Sequence, residues 1–234
     1  MSFNQRRTRN GRPAMVFAPV RIHQHEGHYP RALPRYLAGC APATLTARGN
    51  VDLLSRTAPP VLVAVFCSVQ CPAPLIVQTY ELARALRDAA VPVIGGFHSP
   101  MEKECLPVLL QGAQPVIVCP ARGIERMRLV KEWKAALLQG RLLLLSPFAD
   151  SPRRATTARA GFRNECVAAL ADILLVAYAT PGGRVERLCH TVRGWGKPLL
   201  ALAHEENMGL LALGAKPVRP DHIRTGEALP NPPP

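Results

Sequence analysis

The sequence predicts an α/β protein with a Rossmann-like, mainly parallel sheet of about six strands and helices on both faces. Two observations predict this class. Short apolar runs alternate with amphipathic stretches from residue 61 to residue 218, which is the pattern of repeated strand-helix-strand units. The apolar runs hold few polar residues, so each expected strand suits a sheet that is covered on both faces.

Each strand is expected where a short apolar run is bounded by polar or turn residues. The six strands are expected at residues 61–66, 92–95, 115–119, 142–146, 173–178 and 198–203. A helix at 75–89 follows the first strand, because Leu75, Leu82 and Leu86 recur at helical spacing. Similar patterns predict helices at about 100–111, 125–138, 161–171 and 184–194.

The two ends of the chain differ in composition from its middle. Residues 1–60 are rich in Arg and Pro and show weak periodicity, so we expect a basic N-terminal arm and lead-in. Residues 61–218 form the expected domain. Proline recurs in residues 219–234 and cannot donate the hydrogen bonds of a helix or sheet, so a disordered tail is expected there.

Net charge points to the class of partner. The 234 residues carry 29 Lys and Arg against 16 Asp and Glu, a net charge of +13 at pH 7. This excess favours a polyanion, with nucleic acid first, and the alternative is an incidentally basic surface. No apolar run approaches the roughly 18 residues of a membrane span, and the start lacks a secretory signal pattern. A cytoplasmic protein without membrane association is therefore expected.

Cysteine and histidine spacing gives weak support for a metal site. The seven cysteines are scattered and often lie beside apolar runs, as expected for reduced core thiols. Cys67 and Cys71 have a spacing that could hold a metal, but no second pair follows at a compatible distance. His23, His25 and His28 cluster in a basic segment that is a poor metal site. We expect no metal and no cofactor.

The loops after the strands are the expected place for a ligand, because the crevice of an open parallel sheet lies outside the carboxyl ends of its strands. Ser68 and Gln70 lie in the loop after the first strand. Arg122 follows the third strand and stands beside a turn glycine, Gly123. These residues enter the candidate binding site.

Two glycine pairs, each ahead of a helix, indicate a cradle for a polyphosphate or sugar phosphate. Gly95 and Gly96 end the second strand and are followed by His98, while Gly182 and Gly183 precede the last of the predicted helices. Glycine lets backbone N–H groups approach an anion at a helix N-terminus.

A simple helix start explains part of the second loop equally well. Ser99 is placed as the N-cap, Pro100 as the first helical residue and Glu102 as the capping-box partner. No Gly-x-Gly-x-x-Gly fingerprint occurs in the chain, so a dinucleotide site is not indicated.

Arg163 and Asn164 are expected on the early turn of the helix that leads into the fifth strand. A basic side chain there opposes the helix dipole, which is unfavourable unless the charge has a use. Two interpretations stay open, since Arg163 could bind an anion or pair with Glu165.

Several short segments occur in a recognisable order along the chain. They are His28-Tyr29-Pro30, Gly49-Asn50, the Ser68 loop, Gly95-Gly96, residues 142–148, Phe162-Arg163-Asn164, residues 206–211 and Gly214-Ala215. In order and spacing, these segments resemble the DNA-processing protein A family, also called DprA or Smf. The resemblance spans about residues 28–218, and its most specific part is Arg-Asn at a helix start, then a strand, then a late Asn.

The resemblance implies an extended Rossmann fold that binds single-stranded DNA and helps load a recombinase onto incoming DNA during natural transformation. It adds Asn207 to the candidate binding site, and a homo-oligomer is expected. Cys67 through Gln70 stand where the family has Gly-Ser-Arg, which removes an expected Arg. The turn at residues 95–102 also departs from the family pattern, and no winged-helix domain is found after Val218. A divergent, single-domain relative is therefore expected.

Phosphoribohydrolases of the "lonely guy" type share the superfamily and carry Pro-Gly-Gly-x-Gly-Thr-x-x-Glu. Pro181 begins this pattern, but Val185 and Glu186 replace the later Gly and Thr, and Cys189 stands at the catalytic Glu. A non-catalytic nucleotide-binding sensor is thus the main alternative to a DNA-binding protein, and a hydrolase is the third. No enzymatic activity is expected, because no nucleophile is placed beside an evident base.

Overall fold

A single nine-stranded sheet runs through the residues that the computed structural model describes, which are 18–54, 61–148 and 154–229. The strands are β1 (Val20–His23), β2 (Thr44–Gly49), β3 (Val63–Cys67), β4 (Val93–Gly95), β5 (Val116–Val118), β6 (Leu142–Ser146), β7 (Ile173–Tyr178), β8 (Leu199–Leu202) and β9 (Lys216–Val218). They are ordered β1-β2-β6-β5-β4-β3-β7-β8-β9. The β1–β2 and β2–β6 pairs are antiparallel, and the other six pairs are parallel.

The mainly parallel α/β class is confirmed, but the number of about six strands is wrong. All six predicted strands are present, and β6 and β7 have the predicted bounds. The other three strands were not predicted. β1 and β2 lie within the predicted arm of residues 1–60, and β9 is a three-residue edge strand that contains Pro217.

Helices cover both faces of the sheet. The described helices are α1 (Ala32–Leu37), α2 (Ala73–Asp88), α3 (Pro100–Leu109), α4 (Lys131–Leu138), α5 (Thr157–Leu170), α6 (Arg184–Gly194), α7 (Met208–Ala212) and α8 (Pro220–Arg224). One apolar cluster joins the sheet to α2, α3, α4 and α8, and a second joins it to α1, α5, α6 and α7.

Strand β3 shows why the sheet needs both layers. Val63 and Val65 point into the first cluster, while Ala64 and Phe66 point into the second, and all four are at most 3% exposed. Side chains alternate between the two faces of a strand, so a continuous apolar run requires cover on each face. The predicted burial of the strands on both faces is confirmed.

Three helices begin at other residues than the sequence predicts, and the first of them, α2, begins at Ala73 and not at 75. α5 begins at Thr157 and not at 161, because the Thr156 hydroxyl accepts the Arg159 N–H at 3.2 Å and caps the helix. α4 begins at Lys131 and not at 125, and the residues before it are irregular.

The C-terminal residues that the structure describes are folded. α8 packs against α2 within the segment that we expected to be disordered, and its Ile223 is 1% exposed. Residues 230–234, and residues 1–17 and 55–60 of the predicted arm, lie outside the described part. Within the described ranges, no helix is long and apolar enough to cross a membrane.

Candidate nucleic-acid interface

The loops after β3 and β7 face each other across a crevice at the carboxyl edge of the sheet. The chain leaves β3 toward β4 on one side, and it adds β7 and β8 on the other. Such a reversal of strand order opens a ligand crevice in parallel sheets. A cavity of about 480 Å³ lies there. Six predicted site residues line it, namely Ser68, Gln70, His98, Arg163, Asn164 and Gly183.

Ser68 connects the loops after β3 and β7 through two hydrogen bonds. Its backbone N–H donates to the Tyr178 carbonyl at the end of β7 at 2.9 Å. Its hydroxyl oxygen accepts the Thr180 N–H at 3.0 Å. Ser68 is 7% exposed, whereas Gln70 is exposed on the rim. Ser68 therefore shapes the cavity, and Gln70 exposes its side-chain amide at the rim.

The N-terminus of α3 is capped by a carboxylate of the protein itself. Ser99 and Glu102 form the predicted capping box, which is confirmed. The Glu102 carboxylate is 6% exposed and accepts N–H groups from Cys67 at 3.0 Å, His98 at 2.8 Å and Ser99 at 3.4 Å. The donors of His98 and Ser99 are thus used within the protein and do not form an open phosphate cradle.

Arg163 lies at the floor of the cavity. It is 3% exposed and stands in the second turn of α5, so the expected position on the early turn is wrong. Its Nη1 donates to the Cys119 carbonyl at 2.7 Å, and its Nε donates to Asn164 Oδ1 at 2.8 Å. The alternative partner, Glu165, is not bonded to it. The guanidinium positions the loop after β5 and its own helix beneath the cavity.

Gly95 and Gly96 serve internal packing. Gly95 ends β4, and its carbonyl accepts the Cys119 N–H at 2.8 Å. A Cβ added at Gly96 would overlap the guanidinium of Arg163. The missing side chain at Gly96 is therefore explained by the arginine and needs no bound phosphate.

The second glycine pair forms a turn whose N–H groups are also used. Gly182 has a φ of +66°, which favours glycine, and its N–H donates to Glu186 Oε2 at 2.6 Å. The Gly183 N–H donates to the Thr180 carbonyl at 2.8 Å. A Cβ at Gly183 would lie 2.6 Å from that same carbonyl oxygen. Turn geometry accounts for both glycines.

Arg122 and Asn207 lie outside the cavity. Arg122 is exposed beside the end of β6, where its carbonyl accepts the Ser146 hydroxyl at 3.0 Å. Asn207 is 1% exposed, and its amide donates to the Ala177 and Leu202 carbonyls at 2.9 and 3.0 Å. Asn207 joins the ends of β7 and β8 and has a structural role.

Two cations of the crevice were not among the predicted site residues. Arg184 and Arg187 are exposed on the first turns of α6 and line the cavity opposite Ser68. Arg187 Nη1 donates to the Gly182 carbonyl, which directs the side chain toward the β7 loop. The sequence could have predicted their position, because they directly follow Gly182-Gly183. Residues that begin a helix after a parallel strand lie at the carboxyl edge of the sheet.

The cysteines near the crevice are inert packing groups. All seven cysteines are free, and five of them are buried. Burial raises the pKa of the Cys67 thiol far above its ordinary value and raises that of Cys119 to about 12. Such thiols stay protonated near pH 7 and are poor nucleophiles. In the described residues, no group of three or more His, Cys, Asp or Glu is arranged to hold a metal ion.

The architecture matches solved structures of DNA processing protein A (DprA). The DprA structure from Streptococcus pneumoniae superposes with a TM-score of 0.72 over 91% of this chain and 75% of that chain, at 19% identity. The chain has the DprA fold. DprA from Helicobacter pylori, studied for its single-stranded DNA binding mode, gives a TM-score of 0.69 over 90% of this chain and 95% of that chain, at 18% identity. No protein-family model and no curated protein match the chain by sequence. Likeness to DprA at this identity establishes the fold.

Proposed function

We propose that this protein is a cytoplasmic, Rossmann-like DNA-processing protein that binds single-stranded DNA in the crevice between the β3 and β7 loops. The carrying observation is that two exposed arginines, Arg184 and Arg187, line one cavity at the reversal of the strand order, above the buried Arg163. The net charge of +13 supports a polyanionic ligand, and the shared fold with DprA supports DNA.

The two sides of the crevice suit different parts of a DNA strand. The exposed cations of Arg184 and Arg187 suit the phosphate groups. Gln70 and Asn164 offer amide donors and acceptors, and Val69 offers an apolar surface that is 67% exposed. These groups suit bases that are not paired, so single-stranded DNA fits better than a duplex.

A non-catalytic nucleotide sensor is the second candidate. The cavity volume of about 480 Å³ lies within the roughly 300–1,000 Å³ range of small-molecule pockets. A hydrolase has less support, because Cys189, at the position of the expected catalytic Glu, is 0% exposed within α6. Recombinase loading and self-association, expected from the family resemblance, stay predictions.

Fluorescence anisotropy with a labelled single-stranded oligonucleotide and with mononucleotides tests the proposal at about 50 and 200 mM salt. The oligonucleotide should bind more tightly, and its affinity should fall steeply with salt because phosphate contacts release counterions. Equal affinity for a mononucleotide in low salt would overturn DNA binding in favour of the nucleotide sensor.

Arg187→Gln should weaken oligonucleotide binding by about tenfold, the effect of losing one charge-assisted contact. Arg193→Gln is the matched control. Arg193 is also exposed on α6 and also donates Nη1 to a backbone carbonyl, that of Leu213, but at the opposite end of the helix. Equal losses in the two variants would remove Arg187 from the DNA site.

A further inference from the structure

The connection between β5 and α4 is an ordered segment without helix or strand. It comprises the twelve residues 119–130. Loops of about this length that lack secondary structure are uncommon in compact domains and are usually functional. Ala121, Ile124 and Leu129 anchor it, since they are 5%, 0% and 8% exposed. Apolar anchors of this kind hold the loop in one conformation.

Two side chains from neighbouring strands also hold this loop. Arg48 of β2 is 8% exposed, and its Nη1 donates to the Ile124 and Met127 carbonyls at 3.1 and 3.0 Å. At the end of β6, the Ser146 hydroxyl donates to the Arg122 carbonyl. These bonds turn loop carbonyls toward the protein interior.

The outer surface of the loop carries arginines without acidic partners. Arg122, Arg126 and Arg128 are exposed, and none of them forms a hydrogen bond or ion pair through its side chain with the described residues. The acid of this loop, Glu125, pairs with Arg21 of β1 at 3.4 Å. Elsewhere acids compensate exposed arginines, as Glu81 does for Arg84 and Arg224. We name residues 119–130 the arginine loop.

The arginine loop begins at the same edge of the sheet as the crevice. Arg122 is bonded next to the end of β6, and β6 lies three strands from β3 in the sheet. With neighbouring strands about 4.8 Å apart, the separation is about 14 Å. This is within reach of a single strand that covers about 4–16 nucleotides, the range of site sizes in single-strand binding domains.

We propose that the arginine loop is a second contact region for the DNA strand that occupies the crevice, in which Arg122, Arg126 and Arg128 bind its phosphates. The inference rests on the proposed function and adds the direction of the bound DNA. The DNA strand leaves the crevice over β4 and β5 toward β6. The contacts are electrostatic and independent of base sequence.

The test compares an oligonucleotide of about 20 nucleotides with a short oligonucleotide of about two, which cannot bridge the roughly 14 Å between the crevice and the arginine loop. The test variant combines Arg122→Gln, Arg126→Gln and Arg128→Gln. Its charge-matched control combines Arg84→Gln, Arg87→Gln and Arg193→Gln. These control residues lie toward the ends of α2 and α6, near the opposite edge of the sheet.

The test variant should bind the long oligonucleotide more weakly, with a salt slope lower by about 2, since three phosphates contribute about 0.7 each on a single strand. Between 50 and 200 mM salt, its affinity should then fall about 18-fold less than that of the unmodified protein. Binding of the short oligonucleotide, and both affinities of the control, should be unchanged.

Three results would overturn the second contact region. An unchanged slope in the test variant would show that the arginine loop does not touch DNA, while the crevice proposal would stand. Equal weakening for both lengths would place the arginines within the crevice site. Equal effects in the test and control variants would indicate general charge alone. If the unmodified protein bound neither oligonucleotide, the proposed function itself would fail.

Discussion

The guanidinium of Arg163 holds together three segments that meet beneath the crevice. It bonds the Cys119 carbonyl after β5, bonds Asn164 on its own helix, and lies against Gly96 after β4. A buried charge is costly unless its donors are satisfied, and here carbonyl and amide oxygens satisfy two of them. Its effect on DNA binding is therefore expected to act through the positions of the loops.

Gly96→Ala should lower the free energy of unfolding by about 1–3 kcal/mol, because the added methyl group displaces the Arg163 guanidinium. Urea unfolding measures this loss. The same substitution should cost much less in an Arg163→Ala background, so a double-mutant cycle should give a coupling of about 0.5–3 kcal/mol.

Gly161→Ala is the control for this cycle. A Cβ at Gly161 meets no atom within 4 Å, and alanine is favoured over glycine within a helix by about 1 kcal/mol. This variant should be neutral or more stable. Loss of DNA affinity in Gly96→Ala at unchanged stability would contradict the packing role and would return Gly96 to the ligand.

Lys197 caps the end of α5 from a half-buried position. Its Nζ donates to the carbonyls of Ala168, Ala169 and Ala171 at 2.6–2.9 Å and lies 4.0 Å from the centre of the Tyr36 ring. These contacts favour the ammonium form. Burial acts in the opposite direction and lowers the pKa of Lys197 to about 7.

The low pKa of Lys197 predicts a pH-dependent stability. Between about pH 7 and the unfolded value near 10.4, the unfolded chain binds more protons, so stability rises with pH. The free energy of unfolding of the unmodified protein, measured in urea relative to Lys197→Met, should increase by about 1–2 kcal/mol between pH 6.0 and 8.5. A constant difference would show that the carbonyls keep the amine charged throughout.

At the scale of elements, local signals predicted some boundaries and long-range contacts set others. The Ser99–Glu102 capping box and the bounds of α6 followed from adjacent residues. The late start of α4 did not, because Arg48 of β2 bonds the preceding loop from across the sheet and the loop buries its own Ile124. β2 escaped prediction for a related reason. An arginine such as Arg48 is typical of an exposed segment, and the loop carbonyls that satisfy its buried guanidinium are not evident from the sequence.

Helix α8 gives a direct test of the folded C-terminal segment. Ile223→Ala should lower the free energy of unfolding by about 2–5 kcal/mol, the usual cost of truncating a buried isoleucine. The control is His222→Ala, which changes an exposed neighbour of Ile223. It should change the free energy of unfolding by less than about 0.5 kcal/mol. Equal urea midpoints for the two variants would support the disordered tail that composition suggested.

At the scale of the whole molecule, the reversal of strand order creates the crevice. The alternating pattern predicted the six strands and placed candidate residues at their ends, but it carries no information on which strands are neighbours. The adjacency of β3 and β7 brought Ser68 and Arg187 to one cavity, which Asn207 does not line. Residues far apart in sequence thus line the cavity, and charge alone did not identify which arginines lie there.

The edge strand β9 bears on how copies of this protein meet in concentrated solution. The Val218 carbonyl accepts the Ala203 N–H, so Lys216 and Val218 direct their backbone groups toward β8 and Pro217 directs its own outward. Proline has no N–H to offer on that outer side. A strand from another molecule would find an incomplete row of partners and an exposed lysine beside it, which is how natural sheets resist edge-to-edge aggregation.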